Sequence, residues 1–488
     1  MTIRNALTIR PALTIPQALL SAALVLGGCA VGPNYSKPDV EVPTAFKEAG
    51  DWKVAEPRDA VARGKWWEVF GDPVLNALEE QVSVSNQTLK AAEARYRQAH
   101  ASVAAARAQF FPTLGGSIDA VRRKGDNGAS YAASLDARWE ADLWGRIRRL
   151  VEGNRAGEEA SAADVEAARL SLQAELATNY FQLRVTDAQR DLLDDSVKAF
   201  QSSYDMTQNR YRAGVVAKVD VVQAEQQVLS VKAQALELRA TRATLEHAIA
   251  VLTGRPPAAL TIEPVPFRAR IPEIPADVPS TLLERRPDIA AAERRMAAAN
   301  AQIGVAKAAY FPSLVLNASA GQASDSLSRL FNASNSVWSL GVALAGTILD
   351  FGARGAAVDS ARASYDATVA NYRDTVLTSF QEVEDGLASL HWLTESLKVQ
   401  EQAARAARET VTITVNQYRA GTVSFINVAQ AQATQLVDER ATVSLLGRRL
   451  AATVALIRAL GGEWPDMERQ APATPPPSAT TPLPSSPR

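Results

Sequence analysis

The chain has one cysteine, Cys29, among its 488 residues, together with only three histidines and four methionines. A single thiol cannot form an internal disulfide, and no cysteines, histidines or methionines cluster with the spacing of a metal site. The histidines, His100, His247 and His391, lie far apart in segments with helical patterns. Nucleophile-elbow and phosphate-binding glycine motifs are also missing. We therefore expect no enzymatic activity and no cofactor.

Other absences narrow the choice of partners. The chain has 52 lysine and arginine residues against 53 aspartate and glutamate residues, and these charges are interspersed without a basic stripe. A nucleic-acid partner is therefore not expected. After Cys29, no apolar segment approaches the roughly 20 residues that a membrane-spanning helix needs. If this chain crosses a membrane, it must do so with β-strands.

The start of the chain has the composition of a secretory signal. Arg4 and Arg10 precede the short apolar segment QALLSAALVLGG, and small residues stand before Cys29. The residues LGGC at 26–29 resemble a bacterial lipobox, in which the cysteine becomes the acylated first residue of the mature protein. Ala30 stands where inner-membrane lipoproteins commonly carry aspartate, so this resemblance indicates the outer membrane.

We therefore predict a signal peptide over 1–28 and an acylated leader over 29–65 that begins with a lipid, such as palmitate, on Cys29. Lipid attachment explains an unpaired cysteine in an exported protein and would tether the chain without spanning the bilayer. The alternative is an ordinary signal peptide that leaves a free cysteine.

Most of the mature chain is built from two copies of one pattern. AAARAQFFPTLGGSIDA at 104–120 returns as GVAKAAYFPSLVLNASA at 304–320, and NRYRAGVVAKVDVVQAE at 209–225 returns as NQYRAGTVSFINVAQAQ at 416–432. Internal repeats of this kind define the architecture. We divide the chain into a first repeat, a proline-rich linker, a second repeat and a proline-rich tail expected to be disordered, over 66–254, 255–279, 280–461 and 462–488.

Each repeat has the predicted order helix, two strands and two long helices. Period-2 alternation places the strands at about 113–121, 131–141, 314–320 and 337–347. The segment 146–212 contains no proline, which allows a helix of about 100 Å at 1.5 Å per residue. Apolar residues in 224–252 recur every 3.5 residues, which predicts helices packed side by side. The fold class is therefore mainly α with a small β portion.

The number of strands limits how the chain could enter a membrane. Four strands cannot close a barrel alone, and open strand edges are not tolerated in lipid. Two chains would supply eight strands, whose barrel is filled by its own side chains, whereas three would supply twelve and leave an opening. A membrane role therefore requires an oligomer. The alternative is a soluble hairpin that packs one face on a core.

Several long motifs are similar to one family. LLERRPDIAAAERRMAAANAQIGVAKAAYFPSLVLNASAG at 282–321 resembles the signature of TolC-like outer-membrane factors. WWEVFGDPVLNALEEQV, ARWEADLWGRIRR and CAVGPNYSKPDVEVP resemble the NodT-type lipoprotein branch, which serves RND efflux systems. The resemblance implies a homotrimer with a twelve-stranded barrel in the outer membrane and a helical tunnel extending into the periplasm. It also implies two partners, a periplasmic adaptor (membrane fusion) protein and an inner-membrane RND pump.

The same resemblance assigns roles to the YRAG turns. It implies that these turns form the periplasmic tip, where Asp220 and Tyr418 match gate residues and Asn427 stands in place of an acidic ring residue. Val423 replaces the arginine of the family pattern, which argues against the same set of closing contacts. The expected adaptor-docking residues at the tips are Arg212, Gly214, Arg419 and Gly421.

The sequence is compatible with two functions. The first is a passive outer-membrane export duct of a tripartite RND-type system, closed at its periplasmic tip and opened when adaptor and pump dock. The second is a lipid-anchored periplasmic coiled-coil scaffold or adaptor without a pore. The four period-2 segments favour the duct, because a scaffold has no use for strands with one lipid-compatible face.

Overall fold

The fold repeats one order of elements in its two halves. This computed structural model describes residues 30–38, 64–122, 124, 129–267 and 286–462. After a 3₁₀ turn at Trp66–Phe70, the first half contains α1 (Pro73–Ser85), α2 (Gln87–Ala108), β1 (Thr113–Arg122), β2 (Ala129–Ala141), α3 (Arg146–Arg212) and α4 (Lys218–Leu252). The second half contains α5 (Pro287–Ala308), β3 (Ser313–Ser324), β4 (Ser336–Ala345), α6 (Ala353–Ala420) and α7 (Phe425–Ala459). The predicted class, mainly α with a small β portion, is confirmed.

Parts of the predicted organisation lie outside the described residues. These are the signal segment 1–28 with Cys29, most of the leader, the linker from 268 onward with the first residues of the second repeat, and the tail from 463 onward. Each of the four strands overlaps its predicted range. Within the described ranges, no helix is both long enough and apolar enough to cross a bilayer.

The strands form one antiparallel sheet in the order β1-β2-β3-β4. Pro112 and Pro312 separate the preceding helices from β1 and β3, because proline has no N–H for a helix to use. The register sorts the side chains by polarity. Leu114, Ala137, Ala318 and Leu340 lie in one row across the sheet, while the next row on the opposite face contains Gly115, Asp136, Ser319 and Ser339.

One face of this sheet is therefore apolar and exposed, whereas the other is polar. On the apolar face Ile118 and Trp338 are 84% and 78% exposed in the single chain. On the polar face the hydroxyls of Ser117 and Ser134 lie 3.2 Å apart, and those of Ser319 and its partner on β4 lie 2.9 Å apart. An apolar surface of this extent indicates contact with lipid or protein.

Two long helical hairpins, α3–α4 and α6–α7, extend from the sheet. Helices α3 and α6 contain 67 and 68 residues. The predicted apolar seam of α4 faces inward, and Val228, Val231 and Ile249 are buried on it. Helix α3 packs against both α4 and α7, so the two hairpins form one layer.

A polar network anchors the start of the proline-rich linker to the first hairpin. The Arg184 guanidinium donates to the Glu263 carbonyl oxygen at 2.7 Å, and the Ile262 N–H donates to a Glu246 carboxylate oxygen at 2.6 Å. Arg242 pairs with the buried Asp187 at 2.7 Å. These bonds give partners to charges that would otherwise be costly to bury, and they hold the linker against the helices.

Candidate functional site at the turn end of the helical hairpins

Glycines end the first helix of each hairpin. Gly214 and Gly421 have φ values of 74° and 77°, a left-handed conformation that a residue with a Cβ rarely adopts. The N–H of the following residue closes each turn on a carbonyl of the last helical turn. These bonds run from Val215 to Arg210 at 2.9 Å and from Thr422 to Gln417 at 3.0 Å.

Tyr418 joins the two hairpins just before this end. Its side chain is only 2% exposed, and its hydroxyl lies 3.1 Å from Thr207 Oγ1 on α3. Thr207 Oγ1 already donates its single proton to the Ser203 carbonyl oxygen at 2.8 Å. The Tyr418 hydroxyl is therefore the donor and Thr207 the acceptor.

Arg210 reinforces the same junction. Its guanidinium carbon lies 4.5 Å from the centre of the Tyr418 ring, in cation–π geometry, and the group also donates to the Tyr418 carbonyl oxygen. On the other side, the Phe425 ring meets Tyr418 edge-on at 5.9 Å. Ala224 and Val428 complete a small buried cluster with these two rings. The lower ends of the hairpins are thus held together by both polar and apolar contacts.

Asp220 and Asn427 lie elsewhere on this end. They occupy equivalent positions in the two repeats, each in the first turn of the second helix of its hairpin. Asp220 is partly exposed and Asn427 is exposed. No hydrogen bond or ion pair within the described ranges holds the Asp220 carboxylate, so the single chain does not join Asp220 to Tyr418.

The two arginines of the turns point into solvent. Arg212 is exposed and donates to Gln208 Oε1 of its own helix at 3.2 Å. Arg419 is exposed, and its guanidinium has no partner among the residues that the structure describes. Val423 instead packs beside the cluster around Tyr418 and Phe425.

Sequence reasoning missed Thr207 and Arg210. A signal was present, because Ser203, Thr207 and Arg210 follow one another at steps of four and three along α3, which places them on one helix face. The residues that precede the two YRAG motifs also differ, because Arg210 in the first repeat corresponds to Gln417 in the second. Arg210 directly precedes Tyr211, but its guanidinium contacts the equivalent tyrosine of the second repeat, Tyr418.

A second feature lies at the opposite end of α3, where the leader runs next to the junction of strands and helices. We call residues 30–35 the leader strap. The Val31 N–H donates to the Trp144 carbonyl oxygen at 3.0 Å. The buried Arg149 guanidinium donates to the carbonyl oxygens of Val31 and Gly32, both at 3.3 Å, and to Asn34 Oδ1 at 2.8 Å.

Groups on α5 hold the strap from its other side. Asn300 Nδ2 donates to the Pro33 carbonyl oxygen at 3.0 Å, and the Tyr35 hydroxyl donates to Glu293 Oε1 at 2.7 Å. The first residues of the strap lie beside Trp144 and Gly145, between the end of β2 and the start of α3.

No group of three histidine, cysteine, aspartate or glutamate side chains could hold a metal ion in the parts of the chain described here. His100 pairs with Glu158 at 2.6 Å, and His391 packs edge-on against Trp392 with ring centres 4.8 Å apart.

Comparison with known proteins places the chain among outer-membrane channels. A family model described as "Outer membrane efflux protein" matches residues 78–255 and 278–462. The probable efflux pump outer membrane protein TtgC of Pseudomonas putida is 30% identical over 467 residues, which cover 93% of this chain and 96% of that protein. Nodulation protein T of Rhizobium leguminosarum bv. trifolii is 31% identical over 422 residues, 84% of this chain and 89% of that one.

A solved structure shares the fold over nearly the same length. The open state of the MtrE outer membrane channel of Neisseria gonorrhoeae matches with a TM-score of 0.78 at 30% identity, covering 89% of this chain and 98% of that one. The likeness therefore includes both repeats.

Proposed function

The chain belongs to the outer membrane efflux protein family, and we propose that it is the passive outer-membrane exit duct of a tripartite RND-type efflux system. Its resemblance to TolC-like outer-membrane factors is confirmed by the family match. The observation that carries the proposal is the sheet, with one apolar and one polar face, continuous with two hairpins whose longest helices contain 67 and 68 residues. Such a sheet suits the wall of a channel in lipid, and the helices suit a tunnel beneath it.

The working form is a homotrimer. In the part of the chain that the structure describes, the four strands form one sheet in which β1 and β4 each leave one edge unpaired. Unpaired edges cannot face lipid, whereas three copies would join β4 of one chain to β1 of the next and close a twelve-stranded barrel with an opening. The polar face then lines the opening and the apolar face contacts lipid.

The gate lies at the turn end of the hairpins. In this proposal the contacts of Tyr418 with Thr207 and Arg210 keep the two hairpins of one chain together in the closed tip. Asp220 and Asn427 face the neighbouring copies at the narrowest point. The Arg419 guanidinium, which has no partner among the described residues, offers the Asp220 carboxylate of another copy an opposite charge. Since an exposed ion pair contributes about 0–1 kcal/mol, such links hold the tip shut only weakly.

Opening requires a partner that prefers the splayed tip. A periplasmic adaptor that binds the turns at Arg212, Gly214, Arg419 and Gly421 more tightly in the open form would shift the population toward it. The inner-membrane pump, joined through this adaptor, supplies the energy, and the duct carries out no catalytic step.

The lipid on Cys29 is part of the same proposal. The leader strap begins beside Gly145, just after β2, where the sheet meets the helices, and a Cβ on Gly145 would lie 2.8 Å from the Ala30 Cα. An acyl chain on the preceding residue would therefore enter the membrane leaflet nearest the helices. The proposed location is the outer membrane, lipid-anchored, with the helices in the periplasm.

The test is the conductance of the purified, lipidated protein in planar bilayers, with and without its candidate adaptor. We expect small, mostly closed currents that increase when the adaptor is added. Tyr418→Phe removes the hydroxyl that bonds to Thr207, worth about 1 kcal/mol, and should raise the open probability severalfold without adaptor.

The matched control is Tyr211→Phe. Tyr211 holds the equivalent position in the first repeat but is 42% exposed, so its hydroxyl can bond to water and the currents should not change. If folded protein gives no current under any condition, the duct is contradicted and the lipid-anchored scaffold takes its place. If Tyr418→Phe behaves like the control, the duct stands and Tyr418 is not part of the gate.

A further inference from the structure

The apolar face of the sheet has a single charged residue, Arg122, across the four strands as the structure describes them. Along β1, in order away from the helices, alternation places on this face Leu114, Gly116, Ile118, Ala120 and Arg122. The acidic residues of the strands all lie on the opposite, polar face, namely Asp119, Asp136 and Glu140. A charge at the end of an apolar row has a position that needs a physical reason.

Arg122 lies just beyond the apolar part of the sheet. On β2 the aromatic residues of the apolar face are Trp139, near the helices, and Tyr131, near the far end. The eight residues between them rise about 21 Å at 3.4 Å per residue and a strand tilt of about 40°. Strands in an outer membrane have an apolar band about 25 Å tall with aromatic residues at both borders. Because Ala120 pairs with Tyr131, Arg122 lies about 5 Å above the upper border.

This height suits a group that meets the surface of a membrane. A basic side chain on the lipid-facing side of a strand is costly at the bilayer midplane and is tolerated near the border with water. Arg122 is exposed and has no hydrogen-bond or ion-pair partner among the residues that the structure describes. Lys124, in the turn after β1, is also exposed and has no partner within that part of the chain. We call the end of the sheet at these two residues the basic rim.

The opposite rim, next to the helices, is built differently. Its arginines pair with acidic residues of the same chain, as in Arg146–Glu140 at 3.0 Å and Arg148–Asp142 at 3.3 Å. The charges of these side chains are therefore already balanced. An outer membrane has a corresponding asymmetry, because its periplasmic leaflet consists of phospholipid, whereas its outer leaflet consists of lipopolysaccharide with phosphate groups on the lipid A portion.

We propose that the basic rim binds the phosphate groups of lipid A through Arg122, with Lys124 beside it. The inference rests on the proposed duct, because it takes the far end of the sheet to face the outside of the cell. A guanidinium can donate two parallel N–H bonds to one phosphate. Ile118, on the same face below Arg122, is 84% exposed and offers apolar contact to the acyl chains.

The connection between β3 and β4 adds apolar surface at the same end of the sheet. Leu327 and Phe331 are 63% and 76% exposed there. Arg329, between them, pairs with Asp325 at 2.9 Å, but both side chains are more than half exposed. Such an exposed pair is weak, so a phosphate can compete for this arginine. In a closed barrel β4 neighbours β1 of the next copy, which places this connection along the basic rim of that copy.

The experiment measures lipid binding to the full-length, lipidated trimer in mild detergent by native mass spectrometry. The probes are lipid A, chemically dephosphorylated lipid A and phosphatidylglycerol at equal concentrations. We expect lipid A to bind in preference to the other two. Arg122→Gln should weaken the binding of lipid A about fivefold, as expected for one basic residue at a charged membrane surface. It should leave the binding of dephosphorylated lipid A unchanged.

The matched control is Arg138→Gln. Arg138 is an exposed arginine of the neighbouring strand but lies on the polar face, so its loss removes the same charge and should leave the binding of lipid A unchanged. Arg122→Lys keeps the charge at the rim and should retain most of the binding. The native mass of each variant shows in the same experiment that the trimer has formed.

The possible failures are distinguishable. Equal binding of lipid A by Arg122→Gln and by the unsubstituted protein would overturn the role of Arg122. Equal binding of lipid A and its dephosphorylated form would overturn phosphate recognition, and equal binding of phosphatidylglycerol would overturn lipid A as the partner. A trimer that conducts in planar bilayers but binds no lipid A would overturn this inference and leave the duct intact. Folded protein that neither forms a trimer nor conducts would overturn both.

Discussion

The fold shifts the pKa of one carboxyl group in the middle of α1, that of Glu79. Glu79 is fully buried, and within the described ranges neither of its oxygens has a hydrogen-bond partner. Burial raises the pKa of Glu79 to about 9, because the charged form loses its hydration. The group is therefore protonated and neutral at pH 7, in a core that also contains the indole rings of Trp66 and Trp67.

This gives a dependence of stability on pH. The folded state keeps the Glu79 proton up to about pH 9, whereas the unfolded chain releases it near its ordinary pKa of about 4.3. The contribution of this group to stability is thus complete below about pH 4 and is lost as the pH rises toward 9. Glu79→Gln is neutral at every pH, so we expect it to raise the melting temperature clearly at pH 8 and little at pH 5.

The measurement is thermal unfolding followed by far-UV circular dichroism at both pH values. Glu80→Gln is the control, because Glu80 is the next residue of the same helix but is exposed. A Glu79→Gln variant with the same change in melting temperature at pH 5 and pH 8 would contradict the shifted pKa.

Among the structural elements, the leader strap can take its position only because Gly304 of α5 has no side chain. A Cβ on Gly304 would lie 2.7 Å from Arg149 Cγ and 2.9 Å from the Val31 carbonyl oxygen. Neither distance is possible for a real Cβ, so one of those groups would have to move. Glycine at this position of α5 therefore lets the strap and the arginine that binds it approach the helix.

We expect Gly304→Ala to displace the strap and to speed amide hydrogen exchange over residues 30–35. The matched control is Gly157→Ala in α3, where an added Cβ would meet nothing within 4 Å. Alanine is favoured over glycine in a helix by about 1 kcal/mol, so the control should stabilise the protein and leave exchange in the strap unchanged. Equal exchange in the two variants would mean that the strap does not depend on Gly304.

Two features are expected to hold the whole molecule at the membrane, namely the apolar face of the sheet and the proposed lipid on Cys29. Ile118, Trp338 and Leu340 present that face outward, each more than 70% exposed in the single chain. Lipid chains attached to one residue hold a protein in a membrane less firmly than a protein segment that spans it. The lipid should therefore assist assembly more than it anchors the finished molecule.

Cys29→Ser should accordingly abolish labelling by radioactive palmitate while most of the protein stays in the outer-membrane fraction. Labelling that persists in the variant would exclude Cys29 as the acylated residue. Release of the variant into the periplasm as soluble protein would instead show that the lipid is the main anchor, as expected for the scaffold.

The sequence by itself determined the elements of this protein. Alternation over 131–141 specified a strand with one apolar face, the proline-free run 146–212 specified a long helix, and Gly214 and Gly421 marked the reversals, because each depends on neighbours along the chain. The tertiary structure decided which of the two repeated tyrosines joins the hairpins. The side chain of Tyr418 is 2% exposed, whereas that of Tyr211 is 42% exposed. It also paired Tyr418 with Thr207 rather than Asp220. Such choices depend on how distant helices pack, and helical periodicity does not say which helix a face will meet.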